Sequence, residues 1–167
     1  MVATSQALEG RAVGGIFAPG SWEQMGTGPA FATAMQLARP NARVVLITGD
    51  GSFGLAPGFT SMETAIDRDI GVTMVAANNA QWGMIQEQQK AMYGRINATS
   101  LRDMDYHKIL EAAGAYSQLV TDQQTYASVL SKAMSNPAPA FIEIKSLPTP
   151  SPITQGLIDM RVRASIE

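Results

Sequence analysis

Apolar residues in this chain alternate between short continuous runs and helically spaced positions. Continuous runs cover residues 43–48 (RVVLIT), 72–77 (VTMVAA) and 140–144 (AFIEI). Runs that are rich in β-branched residues and apolar at nearly every position are typical of strands covered on both faces, as in a parallel sheet. Shorter runs predict two further strands, at residues 116–120 and 16–18.

Helical spacing fills the intervals between these runs. Apolar residues three and four positions apart, bounded by Pro, Gly or an acidic residue, predict helices over residues 30–38, 57–69, 82–92, 106–113, 123–133 and 154–166. Pro29 suits a first helical turn, where its missing N–H costs nothing. Asp105 and Asp122 are predicted to cap the helices that follow them. The predicted buried faces are Phe31, Ala34, Met35 and Ala38 in the first helix, and Phe59, Met62 and Ile66 in the second.

Strands that alternate with helices at this spacing imply a parallel sheet with right-handed crossovers. The predicted fold class is therefore α/β, a three-layer Rossmann-like domain with a parallel sheet and helices on both faces. A chain of 167 residues without internal repeats suits one such domain. We expect residues 16–150 to form it, residues 1–15 to be a truncated or poorly ordered N-terminal segment, and residues 151–167 to be a connector and helix.

Composition and charge narrow the possible partners. Charged residues make up 16% of the chain, against a typical share of about 25%, so part of the surface is expected to pack against other chains. A net charge of −2 without a basic run argues against nucleic acid and against a charged membrane surface. The apolar runs are too short to span a membrane, and no signal peptide is recognisable, so a cytoplasmic protein is expected.

Two polar loops follow the first two long strands. The first is GDGSFG at residues 49–54, the second opens with Asn78-Asn79, and 26 residues lie between Gly51 and Asn78. In a parallel sheet both loops emerge at the carboxyl ends of strands, where ligands bind. GDGSFG also fits the dinucleotide pattern GxGxxG, and that reading predicts an NAD(P)-binding oxidoreductase module. The dinucleotide pattern, however, requires an acidic residue at the end of the next strand, and that strand ends in Asn78-Asn79.

The charge of Asp50 supports a different ligand at these loops. Two negative charges about 4 Å apart repel by roughly 4 kcal/mol at an effective dielectric constant of 20, so a carboxylate here disfavours a bare pyrophosphate. A divalent cation that binds both groups reverses the sign of this interaction. Mg²⁺ suits the role because it takes carboxylate and phosphate oxygens, and Asn79 can supply a neutral oxygen.

Together, GDG, a gap of this length and NN resemble the motif of thiamine-diphosphate-dependent enzymes. Residues from about 16 to 152 are similar to the diphosphate-binding (PP) domain of the acetolactate synthase, benzaldehyde lyase and 2-hydroxyacyl-CoA lyase group. The blocks GSWEQMGTGPAFATAMQLARP and NNAQWGMIQEQQ strengthen the resemblance. It implies thiamine diphosphate and Mg²⁺ as cofactors, and a lyase, carboligase or decarboxylase as the enzyme.

The resemblance also assigns roles to individual residues. It implies that Asp50, the Asn79 side chain and the Gln81 carbonyl bind the metal. Met25 matches the bulky apolar residue that bends the cofactor, and the Glu23 carbonyl would accept a hydrogen bond from its aminopyrimidine. The remaining cofactor contacts implied by the family are Gly49, Gly51, Ser52, Asn79, Gly83 and Met84.

No catalytic residue is expected in this chain. In the family, a glutamate of the pyrimidine-binding (PYR) domain activates the cofactor, and no counterpart of that domain is recognisable here. We therefore expect the chain to be the C-terminal piece of a longer enzyme or a split subunit in a homo- or hetero-oligomer, inactive without a PYR domain. The expected substrate is a small 2-keto acid or 2-hydroxyacyl compound. A non-catalytic interaction domain that kept the fold is the third hypothesis, and His107, the sole histidine, is expected to have a surface or structural role.

Overall fold

A computed structural model describes residues 7–10, 13–18, 24–55, 57–149 and 152–164. The helices and strands whose bounds it gives are, in chain order, α1 (Gly28–Ala38), β1 (Val45–Gly49), α2 (Asp50–Phe53), α3 (Gly58–Asp67), β2 (Thr73–Asn78), α4 (Gly83–Tyr93), α5 (Tyr106–Ala112), β3 (Tyr116–Val120), α6 (Gln123–Ser135), β4 (Ala140–Lys145) and α7 (Pro152–Ala164). The chain divides into two compact units. The sheet unit comprises Ala18–Asn78 and Met104–Ser146, and the second unit comprises Met1–Phe17, Asn79–Asp103 and Leu147–Glu167.

The strands of the sheet unit form one parallel sheet in the order β1-β2-β4-β3. Thr73 at the start of β2 lies opposite Val45 of β1 on one side and Ala140 of β4 on the other. Tyr116 of β3 is also in register with Ala140. All four strands therefore end at the same edge of the sheet. The alternation of apolar runs and helical segments in the sequence predicts this arrangement.

Helices cover both faces of this sheet. Successive strand residues point to opposite faces, and on each face they pack in a separate apolar cluster with helices. Met74 and Phe141 belong to an apolar cluster with residues of α1, α2, α3 and α5, including the fully buried Phe53, Met62 and Leu110. Their neighbours Val75 and Ile142 belong to a second cluster that contains Ala133 of α6. The sheet unit is thus a three-layer α/β structure, which confirms the predicted fold class.

The first helix buries a different face from the predicted one. Phe31 is half exposed, and the buried residues of α1 are Pro29, Ala32, Thr33 and Gln36. Small residues bring this helix close to the sheet: a Cβ at Gly28 would lie 3.0 Å from Leu46 Cδ1. Gln36 tolerates burial because its Oε1 accepts from Val44 N at 2.9 Å and its Nε2 donates to Ala42 O at 2.9 Å. The buried face of α1 is therefore set by its close approach to the sheet and by the hydrogen bonds of the Gln36 amide, rather than by the hydrophobicity of its side chains.

Other boundaries agree with the sequence, with two exceptions. Pro29 lies in the first turn of α1, and the Asp122 side chain caps α6 by accepting from Thr125 N at 2.9 Å. Asp105 precedes α5, but its side chain makes no capping hydrogen bond. Its carboxylate instead binds Lys108 Nζ at 2.6 Å. Residues 16–18, which the structure describes, form no strand, so that predicted strand is wrong.

The second unit is built around helix α4. It packs with α7 and ends at Gly94, whose φ of 63° is the left-handed conformation that glycine adopts readily. No helix among the described residues is long and apolar enough to cross a membrane.

A single glycine lets α3 pack against α2. A Cβ at Gly58 would overlap the Phe53 carbonyl oxygen and lie 3.0 Å from its carbon. We therefore expect Gly58→Ala to lower the free energy of unfolding by about 1–3 kcal/mol, as overpacking does. Gly156→Ala in α7 is the control, since a Cβ there meets nothing within 4 Å and alanine improves helix propensity by about 1 kcal/mol. Urea denaturation measures both, and equal stabilities would contradict this packing.

Candidate functional site

The sequence GDGSFG lies at the carboxyl end of β1, as predicted, but most of it is helical. Gly49 is the last residue of β1, and α2 begins at Asp50. The Gly54 N–H closes this single turn by donating to Asp50 O at 2.8 Å. Asp50 is only 4% exposed. The turn therefore holds a buried carboxylate at the edge of the sheet where ligands of such folds bind.

Met25 and Ser52 are brought together within the sheet unit. Met25 lies in a turn before α1, and Gly26 follows it with a φ of 85°. The Gly26 N–H donates to Ser52 Oγ at 3.0 Å, which ties this turn to α2. Met25 is 45% exposed, so its side chain is available to contact a ligand. Glu23, the remaining predicted cofactor contact in this part of the chain, lies outside the described residues.

Asn79, Gln81 and Gly83 converge within the second unit. A Cβ at Gly83 would lie 3.4 Å from Asn79 Nδ2 and 3.5 Å from Gln81 Nε2. Ala80 between them has a φ of 55°, a left-handed conformation that costs a non-glycine residue about 1–2 kcal/mol. This strained turn places both amide side chains beside the start of α4. Met84, in the first turn of α4, is 44% exposed.

The Gln81 carbonyl takes no part in the backbone hydrogen bonds of the short antiparallel bridge around it. Gln81 forms an antiparallel bridge with Ser100. The two hydrogen bonds of this bridge run from Leu101 N to Ala80 O at 2.8 Å and from Trp82 N to Thr99 O at 2.9 Å. Gln81 and Ser100 therefore form a non-hydrogen-bonded pair, and the backbone of neither residue makes the bonds of the bridge. This geometry is compatible with the expected use of the Gln81 carbonyl as a ligand.

The sequence analysis missed a buried carboxylate in β4. Glu143 is 0% exposed. Its Oε1 accepts from Asn78 Nδ2 at 2.7 Å and from Lys145 Nζ at 2.9 Å. Its Oε2 accepts from the backbone N of His107 at 2.9 Å and lies 2.7 Å from His107 Nδ1. A charged residue within the apolar run AFIEI was the signal that could have revealed it.

Two pKa shifts describe the electrostatics of this edge. Burial by itself would raise the pKa of Glu143, but the hydrogen bonds from His107, Asn78 and Lys145 outweigh it and hold that pKa below its usual value. Burial raises the pKa of the Tyr106 phenol, and the negative charges of Asp50 and Glu143 raise it further. The Tyr106 phenol therefore lies near two carboxylates, of which Glu143 is compensated by its hydrogen bonds and by Lys145.

The residues assigned to a metal have the chemistry of a magnesium site. Asp50 offers a carboxylate, Asn79 an amide oxygen and Gln81 a carbonyl, and Mg²⁺ prefers such oxygen donors together with phosphate oxygens. Among the residues that the structure describes, no group of three or more His, Cys, Asp or Glu could hold a metal ion. One carboxylate with neutral oxygens is a donor set that suits Mg²⁺, which binds one or two carboxylates together with phosphate oxygens. Asp50 lies in the sheet unit, and Asn79 and Gln81 lie in the second unit.

Comparison with known proteins identifies a family model and several relatives. The model of the thiamine pyrophosphate enzyme, C-terminal TPP binding domain, matches residues 2–144. A probable acetolactate synthase of Mycobacterium bovis is 32% identical over 142 residues, which is 80% of this chain and 25% of that protein. The 2-hydroxyacyl-CoA lyase 2 of Bos taurus is 33% identical over 103 residues, or 62% of this chain and 16% of that protein.

A solved structure gives the same assignment of fold. The thiamine diphosphate-dependent 4-hydroxybenzoylformate decarboxylase of Rhodococcus jostii RHA1 superposes with a TM-score of 0.68 and 25% sequence identity. The match covers 74% of this chain and 23% of that one. The chain therefore spans about a quarter or less of the length of the proteins it resembles.

The lowered pKa of Glu143 predicts a pH dependence of folding stability. Because the folded-state pKa lies below the usual 4.5, this carboxylate stabilises the fold above about pH 4.5 and loses that effect as the pH falls through the folded pKa. Glu143→Gln should cost about 1–3 kcal/mol at neutral pH by leaving buried donors poorly paired. The difference from wild type should shrink below pH 4.5. Urea denaturation across pH tests this, and a pH-independent difference would contradict it.

Proposed function

We propose a function for this chain on the basis of its family: it belongs to the thiamine pyrophosphate enzymes and matches their C-terminal TPP-binding domain. Within a longer enzyme or a complex, it holds the diphosphate of thiamine diphosphate through Mg²⁺. The enzyme makes or breaks a carbon–carbon bond next to a carbonyl carbon. The observation that carries the proposal is the buried Asp50 of GDG at the carboxyl end of β1, followed at the family's spacing by Asn78-Asn79.

The proposed metal ligands are Asp50, Asn79 and Gln81. Asp50 supplies the negative charge, while the Asn79 side chain and the Gln81 carbonyl supply neutral oxygens. Two observations support this assignment. Asn79 and Gln81 converge on Gly83, and the Gln81 carbonyl takes no part in the antiparallel bridge with Ser100. The charge of Mg²⁺ would then offset the repulsion between Asp50 and the diphosphate.

The remaining cofactor contacts follow from the same resemblance. Gly49, Gly51 and Ser52 would contact the diphosphate from β1 and α2, and the backbone at Gly83 and Met84 would do so from α4. Met25 would pack beneath the bent cofactor, a role that its exposure supports, and the Glu23 carbonyl would accept from the aminopyrimidine. When bound, the cofactor supplies a nucleophilic carbon and an electron sink. The residues of this chain bind and orient it.

We propose that a PYR-domain chain or further domains of the same protein complete the active site. The proposed substrate is a small 2-keto acid or a 2-hydroxyacyl compound, and the reaction class is that of a lyase or transferase. The relatives named above, an acetolactate synthase, a 2-hydroxyacyl-CoA lyase and a decarboxylase, support this range. No residue of this chain is assigned the activation of the cofactor.

Calorimetric titration with thiamine diphosphate tests the metal-bridged site. We expect weak binding that requires Mg²⁺, and Asp50→Ala should lower the affinity at least about tenfold, since even the outer partners of metal ligands are worth 10–100-fold. Asp67→Asn is the matched control, because Asp67 is a surface acid paired with Arg68.

Two results of this titration would overturn the proposal. One is binding that ignores Mg²⁺ or survives Asp50→Ala unchanged. The other is binding of NADH in place of thiamine diphosphate, which would favour the dinucleotide interpretation of GxGxxG.

Complementation tests the proposed partner. The chain alone should show no turnover of pyruvate or another 2-keto acid, because it lacks the group that activates the cofactor. Mixing it with a PYR-domain chain of an acetolactate synthase-like enzyme should produce Mg²⁺-dependent turnover. Asp50→Ala in the mixture is the control and should abolish that turnover. Full activity of this chain by itself would refute the requirement for a PYR domain.

A further inference from the structure

Glu143, which is fully buried, is the centre of a polar cluster that the proposed function does not use. Its carboxylate has four hydrogen-bond partners, contributed by Asn78 of β2, Lys145 of β4, and the backbone and ring of His107 in α5. Three separate elements therefore meet at one side chain. We call this set, with the Met104 carbonyl described below, the Glu143 cluster.

Asn78 is restrained at three points, two of them within the cluster. Asn78 Nδ2 donates to Glu143 Oε1 at 2.7 Å and to the Met104 carbonyl at 3.0 Å. The backbone O of Asn78 accepts from Ser146 N at 2.9 Å. Lys145 Nζ donates to the same Met104 carbonyl at 3.2 Å, so Met104 is held from two sides. The last residue of β2 is thereby fixed in both its side chain and its backbone.

A hydrophobic residue at position 143 would be less costly for the fold alone. Burying a charge is expensive, and replacement of buried ionic groups by apolar ones is often neutral or stabilising. Val75, Ile142 and Phe141, the strand neighbours of this region, are all apolar and buried. A charged residue with several donors from different elements instead selects one arrangement of the chain. The residue held in this arrangement is Asn78, which precedes Asn79.

We propose that Glu143 is a positioning residue for the cofactor site: by fixing Asn78, it sets the conformation in which the chain continues to Asn79. The inference rests on the proposed function only where it assigns a metal-binding role to Asn79. Glu143 itself touches neither metal nor cofactor in this proposal. It acts through Asn78, whose peptide bond leads directly to Asn79.

The alternative is that the cluster contributes stability and nothing else. The two roles differ in where Glu143→Gln acts. A stabilising role lowers the free energy of unfolding without changing the native loop, whereas a positioning role loosens Asn79 in the folded protein. Ile142→Val is the matched control, because Ile142 is the neighbouring residue of β4, is fully buried and belongs to an apolar cluster of the sheet.

The first measurement is the ¹⁵N order parameter of the Asn79 backbone in the unliganded chain. Wild type and Ile142→Val should give a rigid value of about 0.85, and Glu143→Gln should fall below about 0.6. A mobile Asn79 in wild type, or an equally rigid one in Glu143→Gln, would overturn the proposal. If Glu143→Gln does not fold, Asn78→Ala takes its place, since it removes the restrained amide and leaves the carboxylate its other donors.

The second measurement is the Mg²⁺ concentration that gives half-maximal thiamine diphosphate binding. Glu143→Gln should raise it at least about tenfold relative to Ile142→Val, the effect typical of residues that orient a ligand. An unchanged Mg²⁺ requirement in a variant with a mobile Asn79 would overturn the positioning role. Absence of cofactor binding in wild type would instead contradict the proposed function, and the order parameters would then decide alone whether Glu143 positions Asn79.

Discussion

Buried carboxylates at the carboxyl edge of a parallel sheet are the constraint on which the rest of this structure depends. An ionised carboxylate away from water must be compensated by donors or by a cation. Glu143 is compensated by the protein itself, through donors from β2, β4 and α5. Asp50, in our proposal, is compensated by Mg²⁺ shared with a diphosphate. In our proposals, Glu143 thus holds the chain that leads to Asn79, and Asp50 binds the metal ion.

The architecture was predictable because it depends on patterns that are local in sequence. The run around Val75 became β2, which is buried at five of its six positions, as expected for a strand covered on both faces. The run RVVLIT became β1, an edge strand of the described sheet in which Ile47 is exposed. Asp122 caps its helix because the capping carboxylate and the Thr125 N–H that donates to it lie within one turn. The GDG and NN motifs were also visible in the sequence, but their pattern alone allowed a dinucleotide site. The resemblance to a known family supplied thiamine diphosphate, and the family match agrees with it.

The features that sequence reasoning missed depend on side-chain hydrogen bonds that leave the helix or strand of the residue concerned. Glu143 and Asn78 are 65 positions apart, and no local pattern shows that they meet. In the first turn of α5 the His107 N–H donates to the Glu143 carboxylate, and the expected side-chain cap by Asp105 was wrong. The buried face of α1 was also predicted wrongly, because Gln36 satisfies its amide against Ala42 and Val44. In each case a tertiary hydrogen bond decided which polar residue could be buried.

A crystal structure of this chain grown with thiamine diphosphate and Mn²⁺ in place of Mg²⁺ tests the central claim most directly. Anomalous scattering from the Mn²⁺ locates the ion independently of the protein and cofactor. We expect an ion about 2.1 Å from an Asp50 carboxylate oxygen, with diphosphate oxygens among its other ligands. Thiamine diphosphate bound without an ion at Asp50, or an ion bound elsewhere, would contradict the metal-bridged site.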